Sequence, residues 1–216
     1  MLTLLEEVVL LAVDEESGEL TSARECWTEY ALAAAVLFDL ALAGKIDTDT
    51  EEITVIDRGP TGTKLLDHVL AEMAAQPELI TMQQWIEELG RRRDDLEGEA
   101  LRSLTERGIL RHEKTKRLWI IDVERFPLVD TGEQKFVKRR LELAVLADDI
   151  PAVRDIMLVS LVEACGLLSQ VFSERALDLR KQRIQTLCNL ETISRKVAAA
   201  IHSLEDFRHH VMIKVV

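Results

Sequence analysis

The feature that most constrains the fold is a helix that is apolar on nearly every side. Residues 25–43 contain the run from Ala31 to Leu42, in which Asp39 is the single charged residue. A helix without a polar face is normally buried. The run is also shorter than the roughly 20 apolar residues that a bilayer-spanning helix needs. The sequence therefore predicts a buried helix inside a folded helical body, and Gly44 is a natural C-cap for it.

Apolar spacing and turn residues predict further helices on both sides of this one. Their ranges are 2–13, 63–75, 81–89, 94–107, 133–148, 151–165, 166–172, 173–188 and 190–206. Residues 45–57 alternate as a short exposed strand pair does. We expect a mainly α protein, with residues 1–216 forming a single compact multi-helix domain that carries a small β-hairpin at about 108–123.

The predicted hairpin lies in the segment GILRHEKTKRLWIID, which begins at Gly108. We expect Ile109–Leu110 to form the first arm and Lys114 to Arg117 a charged tip. The run from Leu118 to Ile121 would then form the second arm, and Pro127 would end the unit.

The charges are unevenly distributed around this hairpin. Residues 91–140 hold 14 Lys and Arg against 10 Asp and Glu, on a chain of net charge −12. Cations beside an indole are typical of surfaces at lipid headgroups, and each cation near an anionic surface contributes about 1 kcal/mol. The candidate membrane or oligomer contacts are Lys114, Lys116, Arg117, Leu118, Trp119 and Ile120.

Three other interpretations of this segment stay open. The hairpin could pack on the body and leave its cations merely solvated, or it could join subunits through exposed edges and apolar tips. Helix 94–107 and the hairpin could also form a winged-helix unit on DNA. The acidic residues of that helix oppose the last interpretation; they are Asp94, Asp95, Glu97 and Glu99.

Composition argues against several classes of protein. A strongly acidic chain does not coat nucleic acid through its overall field. Cys26, Cys165 and Cys188 are too few and too irregularly spaced for a disulfide framework or a zinc site, which indicates a reducing, cytoplasmic setting. No spacing places a nucleophile beside a base. We expect no enzyme activity, no cofactor and no metal.

Six blocks of sequence resemble the Golgi phosphoprotein 3 family and occur in the family's order. They are LTLLEEVVLLAVDEESGEL (2–20), LFDLALAGKI (37–46), PTGTKLLD (60–67), WIEEL (85–89), LTERGIL (104–110) and the P…EQKFVKRRL segment (127–141). The blocks cover most of residues 2–146, and the C-terminal helices match in pattern only. The chain resembles a bacterial-type member, and it begins near the start of the family core. We therefore expect the basic N-terminal extension that engages coat proteins in eukaryotic members to be missing.

The resemblance implies a non-enzymatic protein peripheral to a membrane. Characterised eukaryotic members bind phosphatidylinositol 4-phosphate in a shallow basic pocket and bind the cytoplasmic tails of Golgi glycosyltransferases. Their fold is one mostly helical domain whose β-hairpin mediates self-association or contacts the bilayer. The resemblance thus implies anionic phospholipid and protein tails as partners, with a homo-oligomer formed through the hairpin.

The four pocket positions of the family do not match in this chain. The family places a tryptophan and an arginine on the second helix and two arginines before the hairpin. By register, these positions fall on Arg24, Ala33, Asp94 and Glu97. Trp27 lies about one helical turn from Arg24, and three arginines lie close to Asp94. The headgroup candidates are therefore Arg24, Trp27, Arg91, Arg92 and Arg93.

Overall fold

The computed structural model describes residues 1–20, 29–48, 52–76, 81–117, 121–190 and 196, and only the backbone of residues 29, 115–117 and 121–122. The helices in this part of the chain are α1 (Leu4–Ala12), α2 (Glu29–Leu42), α3 (Lys64–Ala75), α4 (Met82–Gly90), α5 (Arg93–Glu106), α6 (Gly132–Leu146), α7 (Val153–Ala164) and α8 (Glu174–Leu190). The strands are β1 (Ile46–Asp47), β2 (Thr54–Val55), β3 (Glu113–Arg117) and β4 (Ile121–Arg125). The predicted mainly α fold with small β pieces is confirmed.

Helix α2 lies at the centre of the fold, as its composition predicts. Its residues from Ala31 to Phe38 and Leu40 have no solvent exposure. Helices α1, α3, α4, α5 and α7 pack against it. At its end Gly44 adopts a left-handed φ of 64°, and the Lys45 N–H donates to the Leu40 carbonyl at 2.9 Å. The predicted C-cap is confirmed.

Helix α1 begins at a capping box. The Thr3 hydroxyl accepts from the Glu6 N–H at 3.1 Å, and the Glu6 carboxylate accepts from the Thr3 N–H at 2.8 Å. This exchange satisfies donors that the first turn of a helix leaves unpaired. At the other end of α1, the buried Gln134 donates to the carbonyls of Leu10 and Val13 at 2.8 and 2.9 Å. Both ends of α1 are therefore fixed by side chains.

The C-terminal helices follow the predicted order with different lengths. The predicted helix 166–172 is a short 3₁₀ turn at Leu167–Gln170, because Gly166 has a φ of 66° and interrupts the α-helical path. The predicted helix 190–206 lies outside the described residues except at its first residue and at Lys196. Cys165 and Cys188 are buried free thiols, whereas Cys26 lies outside the described residues.

Two antiparallel strand pairs complete the fold. Strands β1 and β2 pair Ile46 with Val55, which confirms the strand pair predicted in 45–57. Strands β3 and β4 form a separate hairpin between α5 and α6.

Candidate functional site

The hairpin has a different register from the one that its composition predicts. Lys114, Lys116 and Arg117 are not a tip but part of strand β3, and Arg117 pairs with Ile121 on β4. Of the predicted second arm, residues 118–120 lie between these paired residues and outside the described part of the chain, whereas Ile121 is the first residue of β4. The prediction of a tip at 114–117 is wrong.

Cross-strand charge pairing accounts for the observed register. The register pairs residues of opposite charge at three of its five positions, Glu113 with Arg125, Lys114 with Glu124, and Lys116 with Asp122, and the side chains of Lys114 and Glu124 form an ion pair. Such pairs stabilise a two-stranded ladder by roughly 0.2–1 kcal/mol each. A tight turn within EKTKR would also lack the Gly, Asn or Asp that two-residue turns require. The charged run is therefore a strand.

The predicted first arm belongs to the helical body. Ile109 and Leu110 are 7% and 1% exposed, and Leu110 forms an isolated antiparallel bridge with Leu128. The Arg111 N–H donates to the Pro127 carbonyl at 2.9 Å just beyond this bridge. These residues form the base from which β3 and β4 extend.

Gly18 fixes the base of the hairpin against the loop that follows α1. The Phe126 N–H donates to the Gly18 carbonyl at 2.6 Å. A Cβ on Gly18 would lie 2.6 Å from the Pro127 nitrogen, and the residue has a φ of 66°. Arg125 pairs with Glu19 at 2.7 Å beside this contact. Only glycine fits here, because both the backbone angle and the space exclude a side chain.

The strands beyond this base make few contacts with the described helices. Strands β3 and β4 pack on each other, and in the described part neither packs extensively on a helix. The Lys114 ammonium lies 3.0 Å from Glu124, with the two side chains 70% and 54% exposed. The hydrogen bond from Lys114 lowers the pKa of Glu124. This is a solvent-exposed ion pair, and such pairs contribute little to stability.

The three arginines near Asp94 lie together at the junction of α4 and α5, and each has an acidic partner. Arg91 lies 2.6 Å from Glu88 and 3.3 Å from Glu87. Arg92 donates two hydrogen bonds to Glu72, at 2.9 and 2.7 Å. Arg93 pairs with Glu97 at 3.4 Å. The positive charge that the sequence concentrates here is compensated within the same chain.

The positions that the resemblance assigns to a headgroup pocket have other surroundings here. Ala33 has no solvent exposure, and Glu97 is the partner of Arg93. Arg24 and Trp27 lie outside the described residues. Within the described part, no ion pair or hydrogen bond joins the Arg91–Arg93 group to the hairpin. The structure therefore gathers two separate sets of the predicted cations.

A buried ion cluster around Glu7 was not predicted. Arg140 bridges Glu7 and Asp155 at 2.6 and 2.5 Å, and Arg154 lies 3.3 Å from Glu7 and 3.7 Å from Asp39. Glu7 is 2% exposed. The signal in the sequence was a carboxylate within each of two apolar helices, since a buried charge requires a partner. This cluster joins α1, α2, α6 and α7.

Asp39 in this cluster has a strongly shifted proton affinity. Burial raises the pKa of its carboxyl to about 7, against the lowering effects of hydrogen bonds from the Leu4 and Leu5 N–H groups and of the Arg154 charge. Those two bonds, at 2.9 and 3.3 Å, tie α2 to the first turn of α1. The carboxyl is therefore a structural group that titrates near neutral pH.

A shallow groove of about 600 Å³ lies beside α3. It is lined by Arg58, Pro60, Asp67 and Leu70, together with three alanines of α3. Among the described residues, no group of three or more His, Cys, Asp or Glu is arranged to hold a metal ion. No described helix has the length and apolar character that crossing a membrane requires.

Known proteins resemble this chain along most of its length. A family model described as Golgi phosphoprotein 3 (GPP34) matches residues 4–204. Vacuolar protein sorting-associated protein 74 of Eremothecium gossypii is 30% identical over 166 residues, which are 67% of this chain and 49% of that protein. The protein of the same name from Schizosaccharomyces pombe is 27% identical over 164 residues, covering 65% and 47%.

The chain spans about half the length of the curated relatives it matches. The family model, by contrast, covers nearly all of the chain, including all eight described helices and the hairpin. This match confirms the resemblance that the sequence blocks carry. The chain belongs to the Golgi phosphoprotein 3 (GPP34) family.

Proposed function

We propose that this chain is a peripheral membrane protein that binds anionic phospholipid headgroups, of the phosphatidylinositol 4-phosphate type, through its hairpin. The observation that carries the proposal is the β3–β4 ribbon, which extends from the helical body and holds Lys114 in an exposed ion pair with Glu124. The family membership and the sorting role named for the relatives support it. The binding needs no catalytic group, and partner protein tails are the second kind of ligand that membership suggests.

The exposed ion pair with Glu124 leaves Lys114 available to a phosphate. Lys114 exchanges Glu124 for a lipid phosphate at little cost, because an exposed pair is worth about 0–1 kcal/mol. Lys116 and Arg117 share the strand with it, and Trp119 adjoins it in the sequence. A few cations near an anionic surface, at about 1 kcal/mol each, give weak binding that salt screens.

The arginines at the α4–α5 junction differ in their availability for a headgroup. Arg91 is 65% exposed, whereas Arg92 and Arg93 are 31% and 25% exposed. The paired hydrogen bonds from Arg92 to Glu72 are the planar arrangement that a guanidinium forms most strongly. Arg91 is therefore the member of this group that we expect to contact a lipid phosphate.

Flotation with vesicles tests the proposal. We expect the chain to float with phosphatidylcholine vesicles that contain phosphatidylserine or phosphatidylinositol 4-phosphate, more at low than at high salt, and not with phosphatidylcholine alone. Lys114→Glu should weaken binding by at least about fivefold, since it removes an attraction worth about 1 kcal/mol and adds a repulsion. Trp119→Asp should weaken it as well.

The matched control for Lys114→Glu is Lys181→Glu. Lys181 is exposed on α8, so this variant changes the net charge equally at a distant element. If both variants lose binding to the same degree, the chain responds to overall charge and not to the hairpin. Equal flotation with neutral and anionic vesicles, or none at low salt, would reject the proposal.

A protein-association role for the hairpin is the alternative. Strands β3 and β4 each pair with one neighbour in the described part, so each has an open edge that could add a strand from another chain. A homo-oligomer built in this way would lose mass in Trp119→Asp, as measured by light scattering. An unchanged mass, with vesicle binding lost, would favour the lipid role.

A further inference from the structure

His112 lies at the root of the hairpin, next to the Lys114–Glu124 pair. Its imidazole stacks on the Phe126 ring, with the ring centres 4.9 Å apart and an angle of 6° between the planes. Phe126 is only 8% exposed and belongs to the hydrophobic core, so the stack fixes the imidazole against the helical body. The Nε2 atom of His112 lies 3.5 Å from Glu124, and 38% of the side chain is exposed. The imidazole is therefore held in place and is still accessible to protons from solvent.

Glu124 has a basic side chain beside each of its two carboxylate oxygens. Lys114 lies 3.0 Å from Oε1, and His112 lies 3.5 Å from Oε2. The hydrogen bond from Lys114 is the main cause that lowers the pKa of Glu124, and the charges of Lys114 and His112 add to it. The carboxylate therefore stays ionised at mildly acidic pH. A change of charge on His112 acts directly on the group that holds Lys114.

The other charged side chains around His112 already have partners. Arg111, which precedes it, lies 2.6 Å from Glu113. Arg125 on β4 lies 2.7 Å from Glu19, in the loop that follows α1. Among the described residues, neither of these acids forms an ion pair with His112. The carboxylate that holds the hairpin lysine is therefore the acid that a protonated imidazole meets.

Histidine is the side chain whose charge ordinarily changes between pH 5 and pH 8. While His112 is neutral, Lys114 compensates the charge of Glu124, and moving this lysine to a phosphate leaves the carboxylate alone. Once His112 carries a proton, Glu124 keeps a cation when Lys114 departs, and the three side chains together become positive. On the basis of the lipid-binding function proposed above, we propose that protonation of His112 frees Lys114 from Glu124 and strengthens binding of the hairpin to anionic phospholipid. The trio of His112, Lys114 and Glu124 is then a pH-sensitive switch of that binding.

Flotation at about pH 7.5 and about pH 5.5 tests the switch. Vesicles of phosphatidylcholine and phosphatidylserine at low salt suit the test, because phosphatidylserine keeps its charge over this range. The phosphomonoester of phosphatidylinositol 4-phosphate, with a second pKa of about 6, would change its own charge. The wild type should bind at least about threefold more strongly at the lower pH, since one further full charge near an anionic surface strengthens binding by about fivefold.

His112→Phe is the main variant, because phenylalanine keeps a ring to stack on Phe126 but cannot be protonated. It should lower the ratio of binding at the two pH values by at least about threefold. His112→Gln should lower the ratio equally, which excludes an effect of added apolar surface. Urea midpoints close to that of the wild type should show that both variants fold normally.

The matched control is His68→Phe. His68 lies on α3, and its Nε2 atom lies 3.2 Å from Glu72, a carboxylate that also pairs with a second cation, Arg92. The control therefore removes the same kind of titrating charge from the same kind of trio on another element. The ratio of binding at the two pH values should stay within about 1.5-fold of that of the wild type, because this trio does not include the hairpin lysine.

Glu124→Gln tests whether the effect of His112 passes through Lys114. Without the carboxylate, Lys114 is available to a phosphate at both pH values. Binding at the higher pH should therefore rise, and the ratio of binding at the two pH values should fall below about twofold.

Several results would overturn the switch. They are equal binding of the wild type at both pH values, a pH dependence that both His112 variants keep, and one that Glu124→Gln keeps in full. Loss of the pH dependence in His68→Phe would assign it to the arginines at the α4–α5 junction instead. Equal binding at both pH values rejects the switch and leaves the lipid-binding function intact. No flotation with phosphatidylserine at either pH also rejects the switch, and vesicles with phosphatidylinositol 4-phosphate then show whether lipid binding fails as well.

Discussion

Two regions of this molecule contain ion pairs that differ in how far they are exposed to solvent. Around Glu7, which is 2% exposed, the charges lie between helices, and the partner side chains Arg140, Arg154 and Asp155 are only 17–22% exposed. On the hairpin, Lys114 and Glu124 meet with more than half of each side chain in solvent. The same chemistry therefore fixes helices in one region and leaves cations exchangeable in the other, because burial decides the cost of separating a pair.

The comparison also explains why counting charges along the sequence overstated the basic character of residues 91–140. Partners from distant segments compensate many of these cations; examples are Glu72 for Arg92, Glu6 for Arg107, Glu19 for Arg125, Glu15 for Lys138 and Glu7 for Arg140. The net charge of a sequence segment does not give the charge of its surface, because folding pairs many of its cations with acidic residues from other segments. Under the proposed function, ligand binding depends on which of these pairs can open.

The largest effect should follow from removing Arg140. Arg140→Ala leaves Asp155 without its guanidinium and Glu7 with Arg154 alone. Breaking a buried pair by removing one partner costs about 3–5 kcal/mol, so we expect a loss of about 3 kcal/mol in urea unfolding. Arg139→Ala is the control, since its pair with Glu142 is exposed and should cost below about 0.5 kcal/mol. Equal losses in the two variants would contradict the distinction drawn from burial.

Asp39 should give the buried cluster a pH dependence opposite in sign to that of the exposed hairpin pair, because the pKa of Asp39 is raised whereas that of Glu124 is lowered. Its pKa is about 7 in the folded protein and 3.8 in the unfolded chain. Between these values the folded state keeps a proton that the unfolded state has released, so this group's contribution to stability falls as pH rises from about 4 to about 7.

The measurement is the free energy of unfolding of wild type and Asp39→Asn from pH 4 to pH 8. The asparagine cannot ionise, so the variant should become more stable relative to the wild type as pH rises, by roughly 1 kcal/mol or more. Comparing the two proteins removes the contributions of other titrating groups, which both contain. A constant difference across this range would show that Asp39 ionises at the same pH in both states.

Substituting Gly18 tests whether the stability of the hairpin depends on the contacts at its base. Gly18→Ala must place a methyl group 2.6 Å from the Pro127 nitrogen at a φ of 66°, and we expect a loss of about 2 kcal/mol with faster proteolysis between 111 and 127. Gly44→Ala is the control: it has a φ of 64° but no atom near its Cβ. It should cost only about 1 kcal/mol, the usual penalty of the backbone angle. Equal costs would mean that the contact with Pro127 relaxes freely.

Local pattern was sufficient to predict most of the fold. The buried helix α2, its glycine cap and the strand pair at 45–57 all follow from rules that act within a few residues. The hairpin register did not, because EKTKR is decided by pairing with IDVER on the opposite strand. The cluster around Glu7 also escaped prediction: Arg140 and Arg154 are far from Glu7 in the chain, and nothing local indicates which arginine a buried carboxylate will meet.

The candidate site was harder to predict than the fold for the same reason. The sequence identified cations in both groups, but it could not show that Arg92 is committed to Glu72, a residue on another helix. Whether an arginine is available to a ligand depends on its acidic neighbours in space. The sequence therefore predicted which charged residues the candidate site contains, but not how strongly each one is paired with an acidic residue of the same chain.

The smallest change in stability should come from the Lys114–Glu124 pair of the hairpin. Removing this pair should also change vesicle binding, which the buried cluster does not affect under the proposed function. Glu124→Gln removes the partner of Lys114 and one negative charge from the ribbon. Because the pair is exposed, the loss of stability should stay below about 0.5 kcal/mol. Under the proposed function, vesicle binding should become several-fold stronger. Lys114 no longer has to separate from the Glu124 carboxylate before it contacts a phosphate, and a negative charge that the anionic membrane repels has been removed.

Glu174→Gln, at the first turn of α8, is the matched control because it changes the net charge equally at a distant exposed site. It should leave vesicle binding within about twofold of the wild type, as expected if cations act mainly near the surface that they contact. If Glu124→Gln instead costs more than about 1 kcal/mol, the pair is structural and the contrast with Glu7 fails. If stability is kept but vesicle binding does not rise, Lys114 does not contact the lipid. Removing the Glu124 carboxylate strengthens binding only if that carboxylate competes with a lipid phosphate for Lys114.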